Sequence, residues 1–263
     1  MPELIIAEHH EQVYSVWQDR GMHDLKLAHV DFHCDMRGIL IDRRQGRAFF
    51  TSHSETTYID RGNFLAHAVM MGIVTDLRWV HDQHGGRGYD SGPVVSYETD
   101  LLAPYYRHVH RRSGRKDVPL TFRESLLDDW EGLRPGEQLD LDWDALASIE
   151  YEPSLRKSLA AHFLERDFEV TPDVTFLVYS PGYSDPDRSF FEGFAQQLAG
   201  KFNADITRLP KAELNTEGKK YRSGGGWLRK SIPSPLRTMK KNLMQRWRHF
   251  ETGRDIEHFR QSP

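Results

Sequence analysis

Residues 25–36 read Leu-Lys-Leu-Ala-His-Val-Asp-Phe-His-Cys-Asp-Met, an apolar run that changes abruptly into alternating acidic and imidazole side chains. The apolar run predicts a buried strand, and in extended backbone residues two apart point to the same side. If the backbone stays nearly extended, Asp31, His33 and Asp35 converge where the strand ends. Two carboxylates and one imidazole favour Mn²⁺ or a similar divalent cation over a structural zinc site. Without a cation these buried acids would repel one another.

Two further acidic or imidazole elements follow other predicted strands. Asp140 and Asp142 share one face by the same two-residue period, and Glu8-His9-His10 ends the first apolar run of the chain. Taken alone, the aspartate pair is typical of a solvated loop. Together with residues 31–35, it indicates a site built from three strand ends.

The order of predicted elements favours an α/β fold, a three-layer α/β/α arrangement with a mainly parallel sheet. Strands are predicted over 4–7, 25–30, 72–80, 138–142 and 174–179, and helices over 13–20, 64–71, 122–130, 152–164 and 189–202. Residues 43–58 are polar and irregular, and residues 82–90 are rich in glycine, so both stretches are predicted to be loops.

The composition argues against a disulfide-bonded, membrane-spanning or secreted protein. The single cysteine, Cys34, allows no intrachain disulfide, and no apolar run approaches the ~20 residues of a membrane span. The start of the chain turns acidic too soon for a signal peptide, so we expect a soluble, cytoplasmic protein without a membrane partner.

Charge divides the chain into two parts. Residues 201–263 carry 15 basic and 6 acidic side chains, whereas the preceding 200 residues carry 20 basic and 33 acidic ones. The acidic part would attract metal cations and a cationic substrate. We predict one domain over residues 1–205, which contains the metal-binding motifs, and a basic extension over 206–263, helical near 239–250 after the glycine run 223–226. This extension would pack on the same domain or be exchanged with a second copy.

In the order of its motifs, the sequence resembles the superfamily of arginases, agmatinases and metal-dependent deacetylases. Arginase-type members carry a histidine after an early strand, then Asp-x-His-x-Asp, then Asp-x-Asp. The stretches 8–11, 29–36 and 62–64 look like the branch that includes the peptide arginases. The resemblance covers about residues 3–182 and implies an arginase-like fold for the first domain.

The resemblance implies two Mn²⁺ ions per chain. Asp31 and Asp140 would bridge them, His9 and Asp35 would complete the shell of one ion, and His33 and Asp142 that of the other. His10 is the alternative to His9.

The resemblance also implies a reaction, the hydrolysis of arginine side chains in a ribosomally made precursor peptide to ornithine and urea. Asp35 would assist proton transfer from the attacking water, and His67 is the candidate proton shuttle to the departing amine. Familiar arginases bind the guanidinium with a glutamate on a later strand, which residues 178–182 lack. Asp185, Glu192 or a loop acid would serve instead.

Several alternatives stay open at this point. The substrate of the same metal site could be free arginine or agmatine. A deacetylase would use a single zinc ion, which leaves Asp35 and Asp140 redundant, and a metallophosphoesterase would need a histidine after Gly62-Asn63. As a non-enzyme, the chain would bind nucleic acid or a peptide through its basic tail. We do not expect nucleic acid as a partner, and in a peptide arginase the tail would receive an acidic leader peptide. The oligomeric state stays open.

Overall fold

A parallel sheet organises the part of the chain that the computed structural model describes, which is residues 1–36, 39–42, 46–50, 59–82, 94–96 and 118–211. The strands are β1 (Glu3–Ala7), β2 (Leu25–Val30), β3 (Ile39–Asp42), β4 (Arg47–Phe50), β5 (Val74–His81), β6 (Val94–Ser96), β7 (Val118–Pro119), β8 (Thr121–Leu126), β9 (Glu137–Asp142), β10 (Val174–Val178) and β11 (Asp205–Arg208). The helices are α1 (Glu11–Asp19), α2 (Phe64–Met70), α3 (Asp144–Ala147), α4 (Pro153–Glu165) and α5 (Arg188–Phe202).

Seven strands form the main sheet, in the order β11-β1-β10-β9-β2-β5-β8, and all of its pairs are parallel. The other four strands form a smaller sheet in the order β6-β3-β4-β7, which combines antiparallel and parallel pairs. The described residues belong to one of two compact units, and the other unit, residues 98–108 and 213–263, lies outside them.

Helices cover both faces of the main sheet. Successive strand residues point to opposite sides, so each strand contributes to two apolar cores. Leu4 and Leu177 belong to one apolar core, which includes residues of α4 and α5, while Ile5 and Phe176 belong to a second core with residues of α1 and α2. Strands buried on both faces read as continuous apolar runs, as β1 and β10 do. The predicted three-layer α/β/α class is confirmed.

The strand order brings the polar residues that follow β1, β2 and β9 to one edge of the main sheet. Strands β10 and β9 lie between β1 and β2, so the chain crosses two strand positions between its first two strands. The carboxyl ends of these four neighbouring strands therefore meet at one edge of the sheet, where open α/β sheets commonly bind ligands. The register pairs His29 with Asp140, and Val178 with both Ala7 and Asp142.

Two predictions of local structure are wrong. Residues 122–130 were predicted to be a helix, but Thr121–Leu126 form strand β8 beside β5. Within the predicted loop 43–58, Arg47–Phe50 form strand β4, which pairs with β3. The short edge strand β11, which the sequence did not reveal, extends across the predicted domain boundary at 205/206.

Other predictions fall on residues that are not described. The glycine run 223–226, the predicted helix 239–250 and most of the loop 82–90 lie outside the described residues. Among the described helices, none combines the length and the apolar character that crossing a bilayer requires.

Candidate metal centre

Acidic and imidazole side chains gather at the carboxyl edge of β1, β2 and β9. His10 follows β1 at the start of α1, and Asp31 to Asp35 follow β2. Asp140 and Asp142 end β9, and Asp144 begins α3 directly afterwards. Except for His33, all of these side chains are buried. The edge therefore concentrates five carboxyl groups in a volume with little access to water, which is costly unless cations compensate the charge.

His10 lies at the centre of this cluster. Its Nδ1 is 3.0 Å from Asp35 Oδ2, 3.1 Å from Asp142 Oδ2 and 3.4 Å from Asp31 Oδ2. Its Nε2 is 3.5 Å from Asp140 Oδ1. One imidazole thus touches carboxylates from two different strand ends, 21 or more residues away in sequence. The ring of Phe64 stacks on it at a centroid distance of 4.9 Å and fixes its plane.

His29 joins two of the same carboxylates from the neighbouring strand. Its Nδ1 is 2.8 Å from Asp140 Oδ2, and its Nε2 is 3.2 Å from Asp31 Oδ2. All three side chains are fully buried. The sheet register explains the first contact, because His29 and Asp140 are paired residues on adjacent strands.

A second group of ligand atoms surrounds His33. The Nδ1 of His33 is 3.3 Å from Asp144 Oδ2 and 3.9 Å from Asp31 Oδ1. The backbone N–H of Phe32 donates to Asp144 Oδ1 at 3.4 Å, which holds that carboxylate against the loop after β2. The side chain of His33 is 33 % exposed, so this is the open side of the cluster.

The backbone bends where the Asp-x-His-x-Asp segment leaves the sheet. Strand β2 ends at Val30, and Asp35 has a φ of 49°, in the left-handed region. Aspartate tolerates this region better than most residues. The expected extended geometry therefore ends before Asp35, whose carboxylate reaches His10 through a turn instead.

The charges of the cluster perturb one another strongly. Burial, and then the charges of Asp35 and Asp144, raise the pKa of Asp31 well above its ordinary value. Burial and the charge of Asp142 raise the pKa of Asp144 to about 6. Such shifts mean that the carboxyl groups resist ionising together in the absence of a cation.

The pKa of His10 is also raised, because nearby negative charges favour its protonated form. Burial alone would lower the pKa of His10, but the charges of Asp140 and Asp142 raise it well above its ordinary value. Burial would likewise raise the pKa of Asp140, but His10 and His29 hold it well below its usual range. Asp140 is therefore ionised and accepts its hydrogen bond from His29.

Several ligand atoms of the cluster lack hydrogen bonds, as metal-binding atoms do when their partner is a cation. Within the described part of the chain, four buried atoms of the cluster have no hydrogen-bond partner, namely His10 Nε2, His29 Nε2, Asp31 Oδ2 and Asp140 Oδ1. Buried polar atoms are nearly always satisfied, so four such atoms at one place fit the donor set of a divalent metal.

Among the residues that the structure describes, two sets of three have the spacing that a metal ion needs. In each set, one ligand atom per residue lies within 4.8 Å of the others, and the sets are His10 with His29 and Asp31, and Asp31 with His33 and Asp144. Asp31 belongs to both sets.

Other side chains support the cluster without belonging to it. Ser180, which follows β10, donates from Oγ to Asp142 Oδ2 at 2.6 Å. The indole N–H of Trp79 donates to the backbone carbonyl of Asp31 at 3.0 Å. These bonds fix one carboxylate and the backbone of another.

Three residues proposed from the sequence have other surroundings. His9 is partly exposed, and burial and the nearby charge of Arg61 lower its pKa. Asp185 binds Arg156 at 2.8 Å, and Glu192 binds Arg208 at 3.1 Å. Both acids proposed for guanidinium recognition therefore already bind an arginine of this chain.

His67, the predicted proton shuttle, lies on α2 one turn after Phe64 and is partly buried. Its backbone N–H and carbonyl take part in the hydrogen bonds of the helix, with Asn63 and Met71. Its predicted role stays a prediction.

Sequence reasoning did not single out His29 or Asp144. The signal was present in both cases, because each continues a two-residue period. His29 precedes Asp31 by two residues, and Asp144 follows Asp142 by two. What the sequence did not show is that β2 and β9 are neighbours, which sets His29 against a carboxylate 111 residues away.

The chain matches no protein-family model and no curated protein sequence. Three solved structures are similar over 76 % of this chain. They are the proclavaminate amidino hydrolase of Streptomyces clavuligerus (13 % identity, TM-score 0.39, 62 % of that protein covered), an arginase from Medicago truncatula (15 %, 0.41, 58 %) and a hypothetical agmatinase from Burkholderia thailandensis (14 %, 0.37, 59 %). This chain thus spans about three fifths of the length of those proteins. At these identities and TM-scores, the likeness assigns no activity.

Proposed function

We propose that this protein is a hydrolase of guanidinium groups that works with two divalent cations and converts arginine side chains in a peptide to ornithine and urea. One observation carries the proposal, which is that imidazoles after β1 and from β2, together with the carboxylate of Asp144 after β9, surround Asp31. The two Asp-rich motifs lie more than 100 residues apart in sequence and meet in one buried cluster.

The position of Asp31 supports two ions rather than one. Its Oδ2 faces His10 and His29, and its Oδ1 faces His33. A carboxylate with each oxygen directed at a different group of ligands is suited to bridge two cations. The single zinc ion of a deacetylase would use only one of these groups.

The remaining ligands follow from the same contacts. His10 and Asp140 would hold the deeper ion, and His33 and Asp144 the outer one, with Asp35 and Asp142 beside His10. His10 rather than His9 fits the imidazole position after β1, because it touches four carboxylates. The predicted second bridge, Asp140, has one oxygen in a hydrogen bond with His29.

The charge balance favours divalent ions. Five buried carboxyl groups face three imidazoles, so protonating every imidazole would still leave two negative charges if all five acids ionised. A carboxylate-rich ligand set suits Mn²⁺. Two such ions would lower the pKa of bound water to near neutrality and so supply hydroxide.

Two residues of this chain would accept and donate the protons that the reaction moves. Hydrolysis joins a water oxygen to the guanidinium carbon and breaks the bond from that carbon to the side-chain nitrogen, which leaves as the ornithine amine. Asp35 has the largest exposed fraction among the five acids, so it is placed to accept the proton from water. His67 would donate a proton to the departing amine.

The negative charge of residues 1–200 would attract the cationic substrate.

The choice of a peptide substrate rests on the motif resemblance to peptide arginases. The test incubates the purified protein and Mn²⁺ with arginine-containing peptides, free arginine and agmatine in parallel. Each converted residue loses about 42 Da as the guanidinium becomes an amine, which mass spectrometry detects. Peptide conversion that exceeds conversion of both small molecules supports the full proposal.

Two variants make the test specific. Asp144→Asn should abolish conversion, since Asp144 faces the outer position, and the exposed Asp167→Asn should convert at the wild-type rate. Conversion of free arginine alone would retain the hydrolase and reject the peptide substrate. No conversion of any substrate by protein shown to hold two ions would reject the activity itself.

A further inference from the structure

His29 has an unusual position for a histidine in a core strand. It is the last residue but one of β2, its side chain has 0 % exposure, and it lies between Asp31 and Asp140. Its ring is 5.5 Å from that of His10. A histidine buried this completely needs partners for both ring nitrogens.

The hydrogen bond to Asp140 determines where the proton of a neutral ring resides. The Nδ1 of His29 is 2.8 Å from Asp140 Oδ2, and an ionised carboxylate only accepts hydrogen bonds. The hydrogen therefore lies on Nδ1, and Nε2 of the neutral ring presents a lone pair. This is the arrangement in which a carboxylate orients a metal-binding histidine.

The lone pair of Nε2 faces a second acceptor. Asp31 Oδ2 is 3.2 Å away, and neither atom has a hydrogen bond of acceptable geometry within the described residues. Two buried acceptors at this distance repel each other unless a cation lies near both. The Nε2 of His10, with Asp140 Oδ1 at 3.5 Å, repeats the arrangement beside them.

We propose that His29 Nε2 is a direct ligand of the deeper ion, together with His10 and Asp31. This inference rests on the proposed function for the ions themselves, but it adds a ligand that the motif resemblance does not imply. The deeper position then has two imidazoles beside Asp31 and Asp140, whereas the outer position, with Asp31, His33 and Asp144, has one. Imidazole suits Zn²⁺ and Co²⁺ better than Mn²⁺. The two positions therefore differ in metal preference, and the deeper one takes the more nitrogen-seeking ion.

His29 could instead position the two carboxylates without binding an ion, and this role predicts a different result for a substitution. If both ring nitrogens carried protons, His29 would hold Asp31 and Asp140 in place by two hydrogen bonds and touch no ion. His29→Asn separates the two roles. The shorter asparagine amide reproduces the Nδ1 donor toward Asp140 but has no atom at the position of Nε2.

The experiment titrates the metal-free protein with Zn²⁺ and with Mn²⁺ in the presence of a competing chelator. The wild type should bind two ions, with the tighter Zn²⁺ at the deeper position. Loss of a group that only orients a ligand typically costs 10–100-fold in metal affinity. Loss of a direct ligand costs more, so His29→Asn should weaken the tighter Zn²⁺ site by more than ~100-fold and leave one ion bound. The matched control is His23→Asn, an exposed histidine paired with Asp24, which should bind as the wild type does.

Weakening by ~100-fold or less would overturn the inference, since an orienting role explains it. A wild type that binds no ions would instead overturn the proposed function, so the two failures are distinguishable. A direct measurement covers the case in which His29→Asn fails to fold. In wild-type protein with both positions loaded with paramagnetic ions, electron–nuclear spectroscopy with ¹⁵N-labelled histidine should detect three coupled imidazoles, those of His10, His29 and His33. Two coupled imidazoles would also overturn it.

Discussion

The two ends of strand β9 hold buried acids in opposite ways. At its start, the carboxylate of Glu137 contacts the guanidinium of Arg78 and accepts the backbone N–H of Arg134 at 2.8 Å. Arg78 also donates to the carbonyl of Gly132 at 2.7 Å. At the other end, Asp140 and Asp142 face imidazoles and other acids.

The two ends differ in the charge of the partners around their buried acids. Glu137 and Asp140 are both almost fully buried and lie three residues apart. The first has a permanently charged partner within the chain, because arginine stays protonated. The second belongs to a cluster of five carboxyl groups and three imidazoles, so the imidazoles cannot balance the charge of all five acids. Burial alone therefore does not distinguish the two acids, whereas the charge balance of their surroundings does.

The largest effect is expected from Asp31→Asn, which removes the carboxylate that both groups share. Turnover should fall by more than ~10³-fold, because loss of a bridging ligand releases ions that stabilise the transition state by several kcal/mol. The metal-free variant should unfold at the wild-type temperature or higher, since one of five mutually repelling charges is gone. Activity, bound ions per chain and thermal unfolding in chelator measure these outcomes. A large loss of metal-free stability would mean that Asp31 is structural.

At the start of β9, a substitution should lower the stability of the protein and leave its turnover unchanged. Arg78→Met leaves Glu137 buried without its cation, and breaking one side of a buried ion pair costs ~3–5 kcal/mol. Urea unfolding of the metal-free protein measures the loss, while turnover per folded molecule should not change. The control is Arg208→Met in the exposed pair with Glu192, where the loss should be less than ~1 kcal/mol. Equal losses in the two variants would remove the distinction between the two ends.

The sequence predicted one end of β9 and not the other. Asp140-Leu-Asp142 repeats with the two-residue period of a strand, and the apolar runs predicted the buried parallel strands, because both faces of those strands are covered. The pairing of Arg78 with Glu137 depends on the strand order, because β2 lies between β5 and β9, and no local pattern encodes that order. His29 escaped prediction for the same reason.

The errors in local structure also have physical causes. In residues 122–130, Phe122, Leu126 and Trp130 recur every four residues, which imitates a helix. Pairing of Thr121–Leu126 along β5 overrides that preference. Strand β11 lies at the sheet edge, where mostly partly buried or exposed residues give no apolar pattern.

A smaller effect is expected from adding metal. Mn²⁺ at about 100 times its dissociation constant should stabilise the wild type by ~2.7 kcal/mol, since only the folded state assembles the ligands. For a chain of this size the unfolding temperature should rise by roughly 5–10 °C. Arg78→Met should show the same rise from its lower starting point, and Asp31→Asn should show little. If metal fails to stabilise the wild type, the carboxyl end of β9 is not a cation site.

The smallest effect concerns how the site holds Asp142. The hydroxyl of Ser180 donates to Asp142 Oδ2, and Ser180 itself has a left-handed backbone with a φ of 50°. Ser180→Ala removes the bond but keeps the backbone conformation, so metal affinity should fall by about 10-fold, the lower end for an orienting partner. Ser184→Ala is the matched control, because the buried Ser184 hydroxyl donates to the backbone carbonyls of Tyr179 and Ser180 rather than to an acid. It should lower stability by ~1 kcal/mol without changing metal affinity.

Ser180→Gly separates the two contributions of this residue. Glycine adopts the left-handed conformation without the cost of ~1–2 kcal/mol that a Cβ carries, so this variant should be more stable than Ser180→Ala. It lacks the hydroxyl equally, so the two variants should bind metal with the same reduced affinity. If Ser180→Gly recovered the wild-type affinity, backbone strain rather than the hydrogen bond would set the position of Asp142. In that case, the acids at this end of β9 would depend on the loop after β10 for their geometry, unlike Glu137, whose partner is a fixed charge on β5.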